Sequence, residues 1–265
     1  MPGSRGRSFF LLPAWALWRR EIVRFLRQKS RVVGALGTPI VFWVLLGSGL
    51  GGSFHHPGAE ASGGYLEYTF AGTLVLIVLF TAVFSTISIV EDRKAGFLQG
   101  VLVAPVNRTA IVVGRVAGAT TLAVLQAVLL LLLAPLAGVP LTLAGAVCVC
   151  GVLTLVAVGL SALGFVMAWR MESTQGFHAV MNLFLIPMWM LSGALFPADG
   201  ASTWLQWVMW LNPLTYGVSA TRQAVLLGSG QVAASGPSMS LSLAISAVFA
   251  IVLVVLASRM TARRD

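Results

Sequence analysis

The residues of this chain that could take part in chemistry are few, and they are not spaced as in a catalytic site. His55 and His56 are adjacent with only Glu60 nearby, and the third histidine, His178, is isolated. A zinc site needs three or four converging ligands, so we interpret the pair as part of a solvated loop and His178 as a helix-interface residue. Neither a Gly-x-Ser-x-Gly nor a His-Glu-x-x-His motif occurs, which disfavours a membrane enzyme.

The chain also lacks the sequence of a nucleotide site. Lys29 and Lys94 are its only lysines, and neither follows the glycine-rich sequence of a phosphate-binding loop. The two cysteines, Cys148 and Cys150, point to nearly opposite sides of a helix, so neither a disulfide nor a shared metal is expected. We therefore expect no cofactor and no metal in this chain.

The stretch EDRKAGFLQGVLVAPVNR, residues 91–108, has a composition unlike the apolar runs on either side of it. Phe97, Val101 and Ala104 recur at helical spacing, and Pro105 should end that helix. A helix resting on lipid explains the apolar side chains. It does not explain the charged group before them, which suits contact with the groove of a partner protein. The charged residues of that group are Glu91, Asp92, Arg93 and Lys94.

These residues lie in a chain that is 58% hydrophobic and 9% charged, whereas a soluble domain has about 25% charged residues. Several apolar runs reach the roughly 20 residues needed to cross a bilayer, and they lack the alternation of a barrel strand. Backbone groups cannot be left unpaired in lipid, so an all-α membrane protein with six transmembrane helices is predicted. The predicted spans are 32–50, 66–90, 111–136, 142–169, 176–196 and 241–257.

The net charge of +9 arises from clusters between these spans. Of the 17 Lys and Arg residues, Arg222 alone lies outside the clusters that the positive-inside rule assigns to the cytoplasm. The distribution predicts a multi-pass protein of the inner or plasma membrane with both termini cytoplasmic. It disfavours nucleic acid as a partner.

Residues 1–31 predict a cytoplasmic helix that lies along the membrane interface. The beginning imitates a signal peptide, but its apolar run is short and a second basic cluster follows at once. A helix over 15–31 has an apolar side facing the membrane and a basic side facing anionic headgroups. The apolar side contains Trp15, Trp18, Ile22, Phe25 and Leu26, and the basic side contains Arg20, Arg24, Arg27 and Arg31.

Residues 199–227 predict a re-entrant or interfacial helical hairpin between the fifth and sixth spans. Two apolar segments, each too short to cross, flank Asn212 and Pro213. Before them, Pro187 falls inside the fifth span and predicts a kink there, unless neighbouring groups re-satisfy the freed carbonyl. The other hairpin residues singled out are Trp204, Trp207, Trp210, Tyr216 and Arg222.

In order and spacing, GFLQGVLVAPVNR at 96–108 and NPLTYGVSATR at 212–222 resemble motifs of the type 2 ABC-transporter permease family. The resemblance covers essentially the whole chain. It implies that 91–108 is a coupling helix on a separate ABC ATPase, which binds ATP and Mg and is present in two copies per complex. The docking residues it implies are Glu91, Asp92, Arg93, Lys94, Gly96, Phe97, Leu98, Pro105 and Arg108.

The same resemblance implies an exporter of a drug, a lipid or a lipid-linked saccharide that works with a second permease copy, as a homodimer, or with a close paralogue. It also implies that the hairpin covers the outer side of the pathway. The chain departs from many relatives at Lys94, where they carry a Glu. This difference is compatible with the general docking site. It does not support the individual ion pair that the Glu of those relatives would form.

The first, second and fifth spans are expected to wall the substrate path at the interface with the second permease. The candidate polar lining residues are Thr81, Ser85, Thr86 and Asn182, which could equally hydrogen-bond between helices. An ion-coupled secondary transporter is an alternative, although Glu67 and Glu91 lie at the ends of the second span rather than in its middle. A membrane scaffold without transport is the other alternative.

Overall fold

In a computed structural model, residues 3–50, 65–103, 106–230 and 236–262 are described, and all the regular secondary structure in these ranges is helical. Pro105 and the loop with His55 and His56 lie outside the described residues. The helices are α1 (Gly3–Arg27), α2 (Lys29–Leu50), α3 (Tyr65–Ser85), α4 (Ile87–Lys94), α5 (Phe97–Val103), α6 (Arg108–Leu131), α7 (Leu143–Arg170), α8 (Thr174–Trp189), α9 (Thr203–Leu211), α10 (Pro213–Val225) and α11 (Met239–Ala262).

Five helical segments within the described residues are long and apolar enough to cross a membrane. They coincide with the second to sixth predicted spans, and the chain is a multi-pass membrane protein. The first predicted span, 32–50, lies in α2, whose apolar part Pro39–Gly49 is shorter. The six-span arrangement therefore stays a prediction. The five segments are Tyr65–Lys94, Arg108–Leu131, Leu143–Arg170, Thr174–Ala194 and Met239–Ala262.

Polar side chains fix where several of these helices begin. The side chain of Thr142 accepts a hydrogen bond from the Gly145 N–H at 3.0 Å at the start of α7. Ser173, Asn107 and Asn212 cap α8, α6 and α10 in the same way. The third span was predicted to reach residue 136, but α6 ends at Leu131. A 3-10 turn at Ala134–Ala137, closed by Gly138 at φ 71°, follows instead.

The expected kink at Pro187 was placed wrongly. Helix α8 continues through Pro187, and the break comes in a π-helical turn at Met190–Ala194, where Leu191 and Gly193 leave helical geometry. Gly193 has φ 77°, a conformation that residues with a Cβ rarely adopt. The glycine and the side-chain partners available there, rather than the proline, decide where the helix bends.

The core lies along α3 and α4, which contact α2, α6, α7 and α8. The N-terminal helix packs onto α6 and does not rest on the membrane surface alone. A Cβ on Gly114 would come within 2.6 Å of the Ala14 carbonyl oxygen, and one on Gly118 within 2.9 Å of the Glu21 Cβ. Glycines four residues apart on α6 therefore let α1 approach the α6 backbone closely.

Candidate functional site

Residues 91–108 form a bent segment and not one continuous helix. The charged group Glu91–Lys94 is the last turn of α4, and Gly96 then reverses the chain at φ 74°. The short helix predicted from the apolar spacing is α5, described over Phe97–Val103. Asn107 accepts a hydrogen bond from the Thr109 N–H at 2.9 Å and starts α6.

Asp92 is turned into the protein, with 2% of its surface exposed. Its carboxylate accepts hydrogen bonds from Arg20 at 2.5 and 2.7 Å and from Arg24 at 3.0 Å. Arg24 also pairs with Glu91. The basic side of α1, expected to face lipid headgroups, thus contacts the acids of α4 through two of its arginines. The hydrogen bond to Asp92 raises the pKa of Arg20, which keeps this guanidinium charged.

Arg115, on α6, also binds Asp92 and so belongs to the same group of charged side chains. Its guanidinium donates to Asp92 at 2.5 Å, to Glu21 at 2.8 Å and to the Ser88 hydroxyl at 3.1 Å, and its side chain is 3% exposed. We call this group the buried charge cluster; its ionic members are Arg20, Glu21, Arg24, Glu91, Asp92 and Arg115. Three positive and three negative groups balance there, as buried charges require; Glu21, Asp92 and Arg115 are buried, and the other three are half-buried at the edge.

Sequence reasoning missed the roles of Arg115 and Glu21. A signal for Arg115 was present, because it is a charged residue inside the third apolar run, where an ionisable side chain points to a functional or structural partner. No local pattern identified that partner, since Glu21 lies 94 positions away. The cluster joins α1, α4 and α6 at one end of the bundle.

The two arginines near the ends of the 91–108 stretch bind backbone carbonyls of other helices. Arg93 donates to the carbonyl oxygens of Trp169 at 2.5 Å and Met171 at 2.8 Å, at the end of α7. Arg108 donates to those of Thr261 at 3.2 Å and Ala262 at 3.4 Å, at the end of α11. Two of the three predicted docking cations, Arg93 and Arg108, therefore have hydrogen-bond partners within the chain, and Lys94 is exposed.

The surface of α5 divides into a buried and an exposed side. Leu98 is 3% exposed and belongs to the core, whereas Phe97 is 40% and Val103 is 87% exposed. The guanidinium of Arg20 lies 3.8 Å from the centre of the Phe97 ring, which connects α5 to the buried charge cluster. Lys94, Gly96 and Gln99 are also exposed. These accessible residues are the part of the predicted docking site that another protein could contact.

A cavity of about 400 Å³ opens between α2, α3 and α8. Thr81 and Ser85 are on its wall with aromatic and aliphatic side chains, whereas the other two candidate path residues are not among its lining. Thr86 donates to the Val83 carbonyl at 2.6 Å, and Asn182 is exposed on α8. Thr81 and Ser85 also bond inside the bundle, Thr81 to Gln126 and Ser85 to the Thr81 carbonyl.

The predicted hairpin contains two short helices, α9 and α10, joined at Asn212. The Asn212 amide donates to the carbonyls of Met188 at 2.6 Å and Leu191 at 3.1 Å, so it fills the break after α8. Pro213 is the first residue of α10, where its missing N–H costs nothing. Re-entry of this hairpin into the membrane stays a prediction.

The side chains of the hairpin fall into two groups. Trp204 and Trp207 are 68% and 74% exposed on α9. The Tyr216 hydroxyl donates to the Trp210 carbonyl at 2.9 Å. Arg222 donates to the Gly193 carbonyl at 2.9 Å, so the one basic residue outside the charged clusters also supports the break after α8. Helix α10 is thus packed inside the bundle, and α9 presents its indoles outward.

The described residues contain no group of three or more His, Cys, Asp or Glu side chains that could hold a metal ion. Cys148 and Cys150 are free thiols. His178 stacks on Phe84 with ring centres 5.0 Å apart, and it lies on the wall of the cavity. The described residues instead show polar contacts between helices, exposed side chains on α5 and an apolar cavity.

The sequence profile of the ABC-2 type transporter family matches residues 14–226. The chain belongs to the ABC-2 type transporter family. The match runs from the middle of α1 to just beyond α10, so it includes the buried charge cluster, α5 and the hairpin. An ABC-2 protein is the membrane subunit of an ABC transporter.

Relatives of this ABC-2 protein have names that refer to transport or nodulation. The putative transport permease ycf38 of Cyanophora paradoxa is 26% identical over 81% of this chain and 74% of that protein. Nodulation protein J of Rhizobium leguminosarum bv. viciae is 27% identical over 80% and 81%, respectively. The probable multidrug ABC transporter permease YbhR of Escherichia coli K12 is 28% identical over 61% of this chain and 45% of that protein.

Proposed function

We propose that this ABC-2 protein is the permease subunit of an ABC exporter that moves a hydrophobic or amphipathic substrate outward. A separate ATPase subunit supplies ATP hydrolysis. The observation that carries the proposal is the exposed side of α5. It is linked to the buried charge cluster by the contact between the Phe97 ring and the Arg20 guanidinium. A force applied to α5 is therefore passed to α1, α4 and α6 together.

The docking surface consists of the accessible residues around α5. Phe97 and Val103 provide apolar contact, and Lys94 provides a positive charge at the edge. By the positive-inside rule this surface faces the cytoplasm, where an ATPase would meet it. Glu91, Asp92, Arg93 and Arg108 serve this surface indirectly, since their charged groups hold the segment to the bundle. Two ATPases and two permease copies complete the complex.

The cavity supports a substrate with apolar surface. Its wall combines Phe80, Phe84 and Trp189 with the hydroxyls of Thr81 and Ser85, a composition suited to an amphipathic molecule. A drug, a lipid and a lipid-linked saccharide all have such surfaces. The names of YbhR and nodulation protein J refer to multidrug transport and to nodulation, which keeps several substrate classes within the proposal.

The test is purification of the chain with an ABC ATPase from the same organism, followed by ATP hydrolysis measurements in vesicles. We expect Val103→Asp to weaken association with the ATPase by at least about tenfold, or ~1.4 kcal/mol, because a charge enters an apolar contact. Leu136→Asp is the matched control, since Leu136 is 83% exposed in the turn after α6. Unchanged association of the Val103 variant would contradict docking through α5.

The two alternatives predict other results. A secondary carrier would transport in vesicles without an ATPase and would respond to an ion gradient. A scaffold would bind partners without altering their ATP hydrolysis. Labelling of a cysteine at Gln99 from the outer side of intact cells would contradict the proposed topology.

A further inference from the structure

Arg93 and Arg108 connect the two ends of the 91–108 stretch to two further helices, α7 and α11. The segment that contains α5 is joined covalently to α4 and α6. The buried charge cluster connects the same segment to α1. The contacted residues Trp169 of α7 and Thr261 of α11 lie 76 and 153 positions from Arg93 and Arg108, respectively. The contact to α7 is made through carbonyl oxygens at its C-terminal end, and the contact to α11 through those of its last two described residues.

These carbonyls are suited to a guanidinium. The last four C=O groups of a helix have no partner within the helix, and the negative end of the helix dipole favours a cation. Arg93 bridges two carbonyls with its two terminal nitrogens, so it fixes orientation as well as distance. Its guanidinium carbon also lies 5.8 Å from the centre of the Trp169 ring.

The contact at the end of α7 leads to the wall of the cavity. The Met171 carbonyl oxygen accepts a hydrogen bond from Arg93. Two residues separate Met171 from Thr174, the first residue of α8. Ser173 caps α8 by accepting from the Gly176 N–H at 3.3 Å. His178, one turn further along α8, lines the cavity. A displacement of Met171 is thus passed to the cavity wall over a few residues.

We propose that Arg93 and Arg108 are positioning residues that make the ends of α7 and α11 follow α5 when the ATPase moves it. This inference rests on the proposed function. It assigns both guanidiniums to the chain's own carbonyls and not to the ATPase. The substrate cavity then responds to nucleotide through Arg93 and Met171 as well as through the packed core.

The test measures the distance between spin labels on Thr109 and Glu172 in the reconstituted complex, with and without ATP and vanadate. Both positions are exposed, and Cys148→Ser with Cys150→Ser supplies a background free of other thiols. In the otherwise unchanged chain the distance should stay the same in both states. In Arg93→Ala it should shift between states by more than about 2 Å, the size of a helix movement at an interface.

Two further variants separate this role from folding and from docking. Arg93→Lys keeps the charge but loses the two-pronged geometry, so it should give an intermediate shift. Arg170→Ala removes an exposed cation from the end of the same helix, α7, and should behave as the unchanged chain. Arg108→Ala with labels on Thr109 and Arg259 tests the link to α11 in the same way.

The outcomes distinguish this inference from the proposed function. A complex that forms and hydrolyses ATP, with equal distances in Arg93→Ala and the unchanged chain, overturns the inference alone. Loss of the ATPase from Arg93→Ala would make Arg93 a docking residue and would also overturn it. Failure of the unchanged chain to associate with any ABC ATPase would instead overturn the proposed function.

Discussion

Replacement of Arg115 by Met removes the cation at the centre of the buried charge cluster while keeping an apolar side chain of similar length. The two acids that Arg115 contacts are affected unequally. Asp92 keeps its hydrogen bonds to Arg20 and Arg24. Glu21 is 5% exposed, and Arg115 provides its ion pair among the described residues. The variant thus removes the hydrogen-bonded cation of a buried carboxylate and leaves it only the coulombic interaction with Arg20. This loss should lower the free energy of unfolding by about 3–5 kcal/mol.

The assay is reversible unfolding of the purified protein in detergent micelles, followed by tryptophan fluorescence. Adding Glu21→Gln to Arg115→Met should restore most of the lost stability, because the orphaned charge is then absent. Arg259→Met is the control, since Arg259 is exposed at the end of α11 and should change stability by less than about 0.5 kcal/mol. A similarly small change for Arg115→Met, or no recovery with Glu21→Gln, would refute the assignment of the cluster.

Two further predictions concern helix packing. Gly114→Ala should destabilise the protein by about 1–3 kcal/mol and speed trypsin cleavage in α1, because the new Cβ meets the Ala14 carbonyl oxygen, which cannot move aside alone. Gly151→Ala, whose Cβ meets no atom within 4 Å, should leave both measurements unchanged or slightly improve stability; equal effects of the two substitutions would contradict close α1–α6 packing. Asn212→Ala should cost about 1–3 kcal/mol in the same unfolding assay, since two carbonyls of the α8 break lose their donor. Asn212→Ser keeps a helix cap without the amide donors, so full recovery with Ser would contradict a role for those donors.

Much of the fold follows from local sequence. The positions of the apolar helices, the short helix after Gly96 and the pair of short helices around Asn212 were all predicted from run length, spacing and proline. The kink in α8 was misplaced because the sequence shows Pro187 but not the side chains that stabilise an alternative break. The positive φ at Gly193 and the amide of Asn212 become relevant only when the hairpin packs against α8.

The candidate site was predicted in part. The sequence drew attention to the 91–108 segment, but it treated all the charged residues there as equivalent contacts for a partner. The structure separates them, with Asp92 buried in ion pairs and Arg93 on the carbonyls of α7. Leu98 is buried, and Val103, which was not singled out, is 87% exposed.

The sequence by itself determined that this chain is a helical membrane protein with a charged interruption after its second apolar run. Length and hydropathy suffice for that, because lipid leaves the backbone few alternatives. Tertiary structure decided which charges face one another and which remain accessible. Arg20 and Asp92 are 72 positions apart, and no periodicity connects them. A buried charge must find its counterion in space, so only the folded bundle shows that the acids of this segment pair with arginines of α1 and α6 while Phe97 and Val103 remain exposed.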